Sequence, residues 1–407
     1  MARERDDAGR RPLRVVYLDH VARMSGGEIA LLRLLPALPP HVQPLVLLGE
    51  DGPLVGKLRD AGVEVEVLPM ATRLRDVRKD TLQPRGFGVR PLLDLVRYVV
   101  RLRRRLRQLR PDLVHTNSLK AAMYGGVAGR LAGIPVVWHV RDRIADDYLP
   151  ASAVRLVHLA SRLLPTAIVA NSQATLATLP ASARGSVLYN PVVPDIVSAD
   201  WQPPALGDGT LRVGVVGRLA HWKGQHVFLD AFAAAFPDEP TQAHLVGSAM
   251  FGEEEYALSL REQAARLGIA DRVQWRGFRE DVAGELAGLD VLVHCSVTAE
   301  PFGQVVVEGM AAGLPVVAAA AGGPLEIIED GVDGLLTPPG DVDALAGALR
   351  RLAAEPELRR RLGERARESS RRFSPAAASL RLRRVYAEVL GLPTQEPEMT
   401  NGNSVRG

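Results

Sequence analysis

The sequence predicts an α/β protein built from two doubly wound, Rossmann-like domains, each a parallel sheet covered by helices. Three observations carry this. Short apolar runs alternate with amphipathic stretches along nearly the whole chain, the pattern of strand–helix–strand units. A strand–glycine–helix opening occurs twice, at 13–37 and again at 211–236. And 407 residues exceed what one such domain usually holds.

In chain order, 1–11 is charged, has no apolar centre and reads as a loose tail rather than a signal peptide. No run reaches the roughly 18 apolar residues that a membrane span needs. The first unit is a strand at 13–18, ending at Asp19-His20, then Met24-Ser25-Gly26-Gly27-Glu28 and a helix over 28–38. Gly26 and Gly27 allow a ligand to come close to the backbone. Strands at 44–48 and 63–68 flank a helix at 53–61. The polar stretch 73–89, broken by Pro84 and Gly86, predicts a long loop beside the ligand crevice. Residues 90–110 form a helix with an apolar stripe at Leu92, Val96, Val99, Leu102, Leu106 and Leu109 and a face dense in arginine. Such a face is ordinarily just solvated; a basic amphipathic helix is also compatible with peripheral contact with anionic lipid.

Strands follow at 112–115, 136–139 and 167–170, the second ending in Trp138-His139 and the third leading to Ser172, a helix N-cap candidate. His139, at the carboxyl end of a parallel strand, is either a satisfied core histidine or a group facing the ligand crevice. The proline-rich, aperiodic stretch 193–209 separates an N-terminal domain (12–192) from a C-terminal one (210–375) and reads as the hinge. The second half has strands at 211–216, 243–246, 273–275, 291–294 and 316–320, helices at 225–236, 253–267 and 342–367, a last helix at 376–390 and a polar tail at 391–407.

Composition narrows the function. Hydrophobic residues make up 47% and charged ones 24%, ordinary for a soluble domain, and a net charge of +3 offers nucleic acid no general attraction. The one cysteine, Cys295, lies in an apolar run and cannot form an internal disulfide, so a cytoplasmic location is expected. The nine histidines show no ligand-like pairing; His221 and His226 are five apart and share no helix face, so no structural zinc is expected. Only four basic residues are lysine, Lys57, Lys79, Lys120 and Lys223, against 46 arginines.

Two stretches carry chemistry. Gly217-Arg218-Leu219-Ala220-His221-Trp222-Lys223-Gly224 sets a guanidinium and an ammonium five residues apart in the loop after a strand, suited to clamping two phosphates and a diphosphate leaving group. It is neither a dinucleotide fingerprint nor a P-loop, since G-x-G-x-x-G is absent and Gly-Lys-Ser/Thr is not formed. The stretch 300–326, EPFGQVVVEGMAAGLPVVAAAAGGPLE, holds Glu300 on a turn and Glu308 eight positions on, with a second glycine turn at Gly322-Gly323 and Glu326 behind it. Placed near a helix N-terminus and about a turn and a half inside it, both carboxylates can line one cleft, where free N–H groups near Gly303 and Gln304 favour an anionic or polyhydroxyl ligand.

Taken together, Gly217-Arg218-Leu219 with Lys223-Gly224, Glu300-Pro301-Phe302-Gly303 through Glu308, Leu314-Pro315-Val316-Val317 and Gly322-Gly323…Glu326 resemble the retaining glycosyltransferases of family 4. The likeness runs from about residue 13 to 390, with Gly26-Gly27-Glu28 and His139 as weaker matches. It implies the GT-B fold, two Rossmann-like domains facing a central cleft with the 376–390 helix returning to the N-terminal domain. By the same resemblance Arg218 and Lys223 would hold the donor's diphosphate, Glu308 its ribose and Glu300 the sugar hydroxyls. Backbone at Phe302, Gly303 and Gln304 would support the sugar and that at Gly277-Phe278 would meet the base. Gly26 and Gly27 would line the diphosphate and acceptor side, and His139 would face the sugar from across the cleft. No cofactor or metal is implied beyond a nucleoside-diphosphate sugar and a hydroxyl acceptor. Asp341-Val342-Asp343, similar to a metal-binding D-x-D, is better placed to cap a helix. A glycosidase would need paired carboxylates astride the bond, which Glu300 and Glu308 fit poorly. A nucleotide-sugar epimerase and a non-catalytic nucleotide-sugar binder remain as alternatives.

Overall fold

The computed structural model describes residues 12–75, 89–181, 185–192, 210–250 and 252–393. The expected hinge at 193–209, the tail at 1–11, most of the tail at 391–407 and most of the 73–89 loop lie outside these.

Two wholly parallel sheets make up the fold. The first contains β1 (Leu13–Asp19), β2 (Val42–Leu48), β3 (Glu64–Val67), β4 (Leu113–Thr116), β5 (Val136–Val140), β6 (Ala167–Ala170) and β7 (Gly185–Val187), in the order β3-β2-β1-β4-β5-β6-β7. The second contains β8 (Arg212–Val216), β9 (Gln242–Val246), β10 (Val273–Gly277), β11 (Val291–His294), β12 (Val316–Ala319) and β13 (Leu335–Thr337), ordered β10-β9-β8-β11-β12-β13. Central strands are covered on both faces, as β4, β5, β11 and β12 show by being buried throughout. In each sheet the order of growth reverses once, between β1 and β4 and between β8 and β11. The loops leaving the strand ends diverge at these points, so crevices open there.

The helix Pro375–Leu390 follows the second sheet in sequence but lies on the first, where Ala378, Leu382, Val385 and Tyr386 join a core with Val15, Tyr17 and Val137.

Several elements differ from the sequence reading. The first helix starts at Gly26, not Glu28, and gives way at Leu34 to a 3-10 turn, Leu35–Ala37. Gly26 and Gly27 are therefore its first turn, following an extended Ser25, rather than an open loop. The region 342–367 is two helices, Val342–Ala354 and Pro356–Ser370, because Pro356 suits a first turn but not an interior. The Asp341 carboxylate accepts from the Ala344 N–H at 2.9 Å, the cap expected of it. Glu300 sits on the loop four residues ahead of helix Gln304–Ala311 rather than at its first turn. In helix Val89–Leu109 the stripe divides: Leu102, Leu106 and Leu109 are buried, but Leu92 and Val96 are 55% and 52% exposed. Tyr98 takes the buried side there instead, edge-on to Tyr124. His221 and His226, though on different elements, do meet: their rings stack with centroids 4.6 Å apart.

Candidate active site

The second switch point gathers the charged residues. After β8 the chain runs through Arg218 and a 3-10 turn, His221–Lys223, into helix Gln225–Ala235. The junction, Gly224, has φ +74°, and a Cβ there would lie 1.9 Å from the Cys295 carbonyl oxygen. Only glycine lets the loop press so closely on the end of β11. The Val297 N–H donates to the Trp222 carbonyl at 2.9 Å and fixes the contact.

This approach brings Lys223 Nζ to 2.6 Å from Glu300 Oε1. The other carboxylate oxygen of Glu300 receives Ser296 Oγ at 2.8 Å and His294 Nε2 at 3.1 Å. Burial alone would raise the Glu300 carboxyl. The Lys223 charge and the bonds from His294 and Lys223 outweigh it and hold the group well below the ordinary carboxylate range. Its loop is clamped from behind by Gly322-Gly323: a Cβ on Gly322 would lie 2.2 Å from the Glu300 carbonyl, and one on Gly323 2.0 Å from that of Phe302. The Gly323 N–H donates to the Glu300 carbonyl at 2.9 Å.

Trp222 organises the cations. Lys223 Nζ lies 4.4 Å from the indole centroid and the Arg218 guanidinium 5.7 Å from it, so one ring aligns both. Arg218 also pairs with Glu253 at 3.3 Å.

Glu308, in the second turn of helix Gln304–Ala311, accepts from Arg33 Nη1 at 2.8 Å and from Gln304 Nε2 at 3.1 Å. Arg33 belongs to the first helix of the N-terminal half, so the two halves touch directly at this carboxylate. A second bridge lies at the Glu300 loop, whose Pro301 carbonyl accepts from Ser172 Oγ at 2.5 Å and Thr175 Oγ1 at 3.1 Å. Glu326 accepts the N–H groups of Gln173 and Ala174 at 2.8 and 2.7 Å.

The first switch point holds a polar network. Asp19, at the end of β1, accepts from Asn117 Nδ2 at 2.7 Å and Ser118 Oγ at 2.8 Å, both just past β4. Arg141 donates to Asn117 Oδ1 at 2.9 and 3.1 Å and to Asn190. Burial lowers its guanidinium to about 10, against the pull of Glu28 and Asp19. Glu28 accepts from the Ser25 hydroxyl; burial and the Asp19 charge push its carboxyl up to about 8.

Of the residues the sequence singles out, Lys223, Arg218 and Glu300 come together at one point, with Glu308 on the adjoining helix. Gly303, at φ +97°, begins that helix, and a Cβ on Gly26 would lie 3.7 Å from Gln304 Oε1. The Phe302 ring turns away into an aromatic cluster with Tyr189 and Phe373, leaving its backbone at the site. Gly277 ends β10 at φ +67°, and Phe278 beside it is 65% exposed. His139 is buried, its ring held by His115 and Arg141. Sequence reasoning missed Trp222, His294, Ser296, Arg33 and Arg141. Trp222 was the most legible, lying between the two cations it aligns.

Residues 200–369 match the family model for glycosyl transferases group 1, and residues 54–196 match that for glycosyltransferase family 4. Each half of the chain thus matches a glycosyltransferase model. Among solved structures, the HepE protein of Anabaena, crystallised with UDP and glucose, is 29% identical, with a TM-score of 0.79 over 92% of this chain and 99% of its own. This places the fold among the GT-B glycosyltransferases. The D-inositol 3-phosphate glycosyltransferase of Streptomyces scabiei is 29% identical over 311 residues, covering 69% of this chain and 68% of that protein. The lipopolysaccharide core biosynthesis glycosyltransferase LpsE of Rhizobium meliloti is 34% identical over 154 residues, 38% of this chain and 43% of that one. For four of the curated relatives the match spans only 19%, 43%, 50% and 45% of their own length.

Proposed function

We propose that this chain is a retaining glycosyltransferase of family 4 that moves a sugar from a nucleoside-diphosphate donor to a hydroxyl acceptor without a bound metal. The observation that carries the reading is the Lys223–Glu300 pair, at 2.6 Å, standing beside Arg218 on a shared indole at the switch point. Departure of a nucleoside diphosphate develops negative charge, and cations fixed in advance lower that barrier most directly. Arg218 and Lys223 are such cations and serve where a metal would otherwise. Glu300 stays ionised and hydrogen-bonded through both oxygens, which makes it a poor nucleophile and a good acceptor for sugar hydroxyls. Retention then proceeds by attack on the face the leaving group vacates, with a donor phosphate oxygen taking the acceptor's proton.

In this reading Glu308 binds the ribose, the backbone at Gly277-Phe278 the base and that at Phe302-Gly303-Gln304 the sugar. Gly26 and Gly27 line the diphosphate and acceptor side, and His139 faces the sugar. The likeness to a structure crystallised with UDP-glucose favours a uridine donor.

The test is thermal-shift binding across uridine, guanosine, adenosine and thymidine diphosphate sugars without metal. A ligand at 100 times its Kd stabilises by about 2.7 kcal/mol. The expected result is stabilisation by a uridine diphosphate sugar that is lost in Arg218→Ala. Stabilisation by none of them, or an unchanged shift in Arg218→Ala, overturns the phosphate clamp. A donor that binds and is never consumed, with any acceptor, points to the non-catalytic binder.

Leu92, Leu93, Val96 and Val100 stand exposed among the arginines of helix Val89–Leu109. That combination favours peripheral docking on an anionic membrane, which would bring a lipid-linked acceptor to the cleft. Sedimentation with phosphatidylglycerol vesicles should carry the protein down, and Leu92→Asp/Val96→Asp should release it. Equal sedimentation of wild type and variant removes this helix from the membrane.

A further inference from the structure

Glu308 is held from both halves of the chain, and by one oxygen only. Its Oε1 accepts from Arg33 Nη1 at 2.8 Å and from Gln304 Nε2 at 3.1 Å. A carboxylate oxygen has room for two such bonds, so Oε1 is full. Oε2 accepts from no described residue, and the Glu308 side chain keeps 10% of its surface open. The Gln304 amide has to turn its nitrogen to the carboxylate, which leaves Gln304 Oε1 buried without a partner among the described residues.

The meeting of two helices explains why an arginine stands at 33. Helix Gly26–Leu34 touches helix Gln304–Ala311 at its first residue, where a Cβ on Gly26 would lie 3.7 Å from Gln304 Oε1. From Gln304 to Glu308 is one turn, about 6 Å along the axis, whereas from Gly26 to Arg33 is two turns, about 10.5 Å. A side chain as long as arginine's spans that mismatch. Its positive charge also suits the last turn of its own helix.

We infer that Arg33 is a specificity-determining residue for the donor, holding the Glu308 carboxylate by Oε1 so that Oε2 reads the ribose hydroxyls. The inference rests on the proposed role of Glu308 at the ribose. The last torsion of a glutamate is broad and roughly two-fold, so a carboxylate held weakly turns easily. The Arg33 bond is charged on both sides and is the shorter of the two, so it sets the orientation. The two free acceptor sites of Oε2 match the two neighbouring hydroxyls of a ribose, each a donor. Arg33 and the ribose therefore share the carboxylate and do not compete for it. Arg33 touches no sugar and acts as a positioning residue from the opposite half of the chain. A site arranged to accept from a hydroxyl rejects the analogue that lacks it, because its own buried group is then left unpaired.

The test is calorimetric titration of the full chain with UDP, 2′-deoxy-UDP and 3′-deoxy-UDP. Wild type should bind UDP about tenfold or more tightly than the deoxy forms, the worth of one hydrogen bond to a charged group. Arg33→Ala should weaken UDP while changing the deoxy forms little, so that this ratio falls toward one, and Arg33→Lys should recover part of it. Glu326→Ala is the control: it removes a different contact between the halves, with the Gln173 and Ala174 N–H groups, and leaves Glu308 untouched. Its ratio should match wild type. Weakening of all three nucleotides alike in Arg33→Ala, or a ratio that falls equally in Glu326→Ala, makes Arg33 merely structural and overturns the inference. Tighter UDP binding in Arg33→Ala overturns it too, by making Arg33 a competitor for Glu308. Glu308→Ala separates the underlying reading. Discrimination that survives there removes Glu308 from the ribose, whereas discrimination lost there but kept in Arg33→Ala leaves the ribose reading standing and strikes Arg33 alone.

Discussion

Lys223→Ala is expected to lower kcat by about 100- to 1,000-fold, while the donor's Kd changes far less. Nζ meets charge that grows only as the diphosphate leaves, so most of its effect belongs to the transition state. Glu308→Ala removes a contact made equally before and during reaction and should act mainly on Kd. Steady-state kinetics on the nucleotide sugar selected by thermal shift separate the two, and equal kcat losses in both variants would count against the assignment. Lys223→Ala also strips Glu300 of its charged partner, leaving the buried carboxylate with His294 and Ser296. In wild type the folded-state value lies far below the ordinary 4.5, so the pair stabilises the fold above that pH, and the contribution is lost as pH falls below it. The variant's carboxyl moves back up, and the acid limb of its Tm–pH curve should be flatter.

Much of this site was legible because local chemistry and fold agree there. Gly217, Gly224, Gly303 and Gly322 all carry positive φ, and each falls in a motif whose spacing the sequence displays openly. Arg218, Lys223 and Glu300 are brought together by two loops leaving adjacent strands, a consequence of the switch point that the alternating pattern already implies. What escaped was set by distance or by ambiguous faces. Arg33 finds Glu308 across 275 positions, and no local signal marks Arg33. Helix Ala151–Leu163 buries Ala153, Val154, Val157 and Ala160 but exposes Leu156, Leu159 and Leu163, so no clean stripe announces it. Strands β7 and β13 are three residues each, too short for alternation to register. Gly26 and Gly27 read as a loop because glycine is a poor helix former. They are helical because Ser25 turns the chain just before them and the Ile29 N–H closes the first turn on the Ser25 carbonyl at 2.9 Å.

Gly224→Ala is expected to be among the most damaging single methyl additions in the second domain. With φ at +74° an L side chain is already strained, by about 1–3 kcal/mol. The added Cβ would also lie 1.9 Å from the Cys295 carbonyl oxygen and 3.2 Å from Val297. The first of these neighbours is backbone at the end of a buried strand and cannot rotate away. The loop must lift, and with it the Val297–Trp222 hydrogen bond, the indole that aligns both cations, and Lys223 itself. A loss on the order of 3 kcal/mol corresponds to a Tm drop of about 6–12 °C for a domain of this size. The donor-induced shift should shrink in parallel, since the clamp is displaced. Gly347→Ala is the matched control: it lies in helix Val342–Ala354 with nothing within 4 Å of a new Cβ, so helix propensity should leave it neutral or slightly more stable. If Gly224→Ala unfolds within about 2 °C of wild type and keeps the donor shift, the close contact between the Lys223 loop and the end of β11 is not what holds the cation in place.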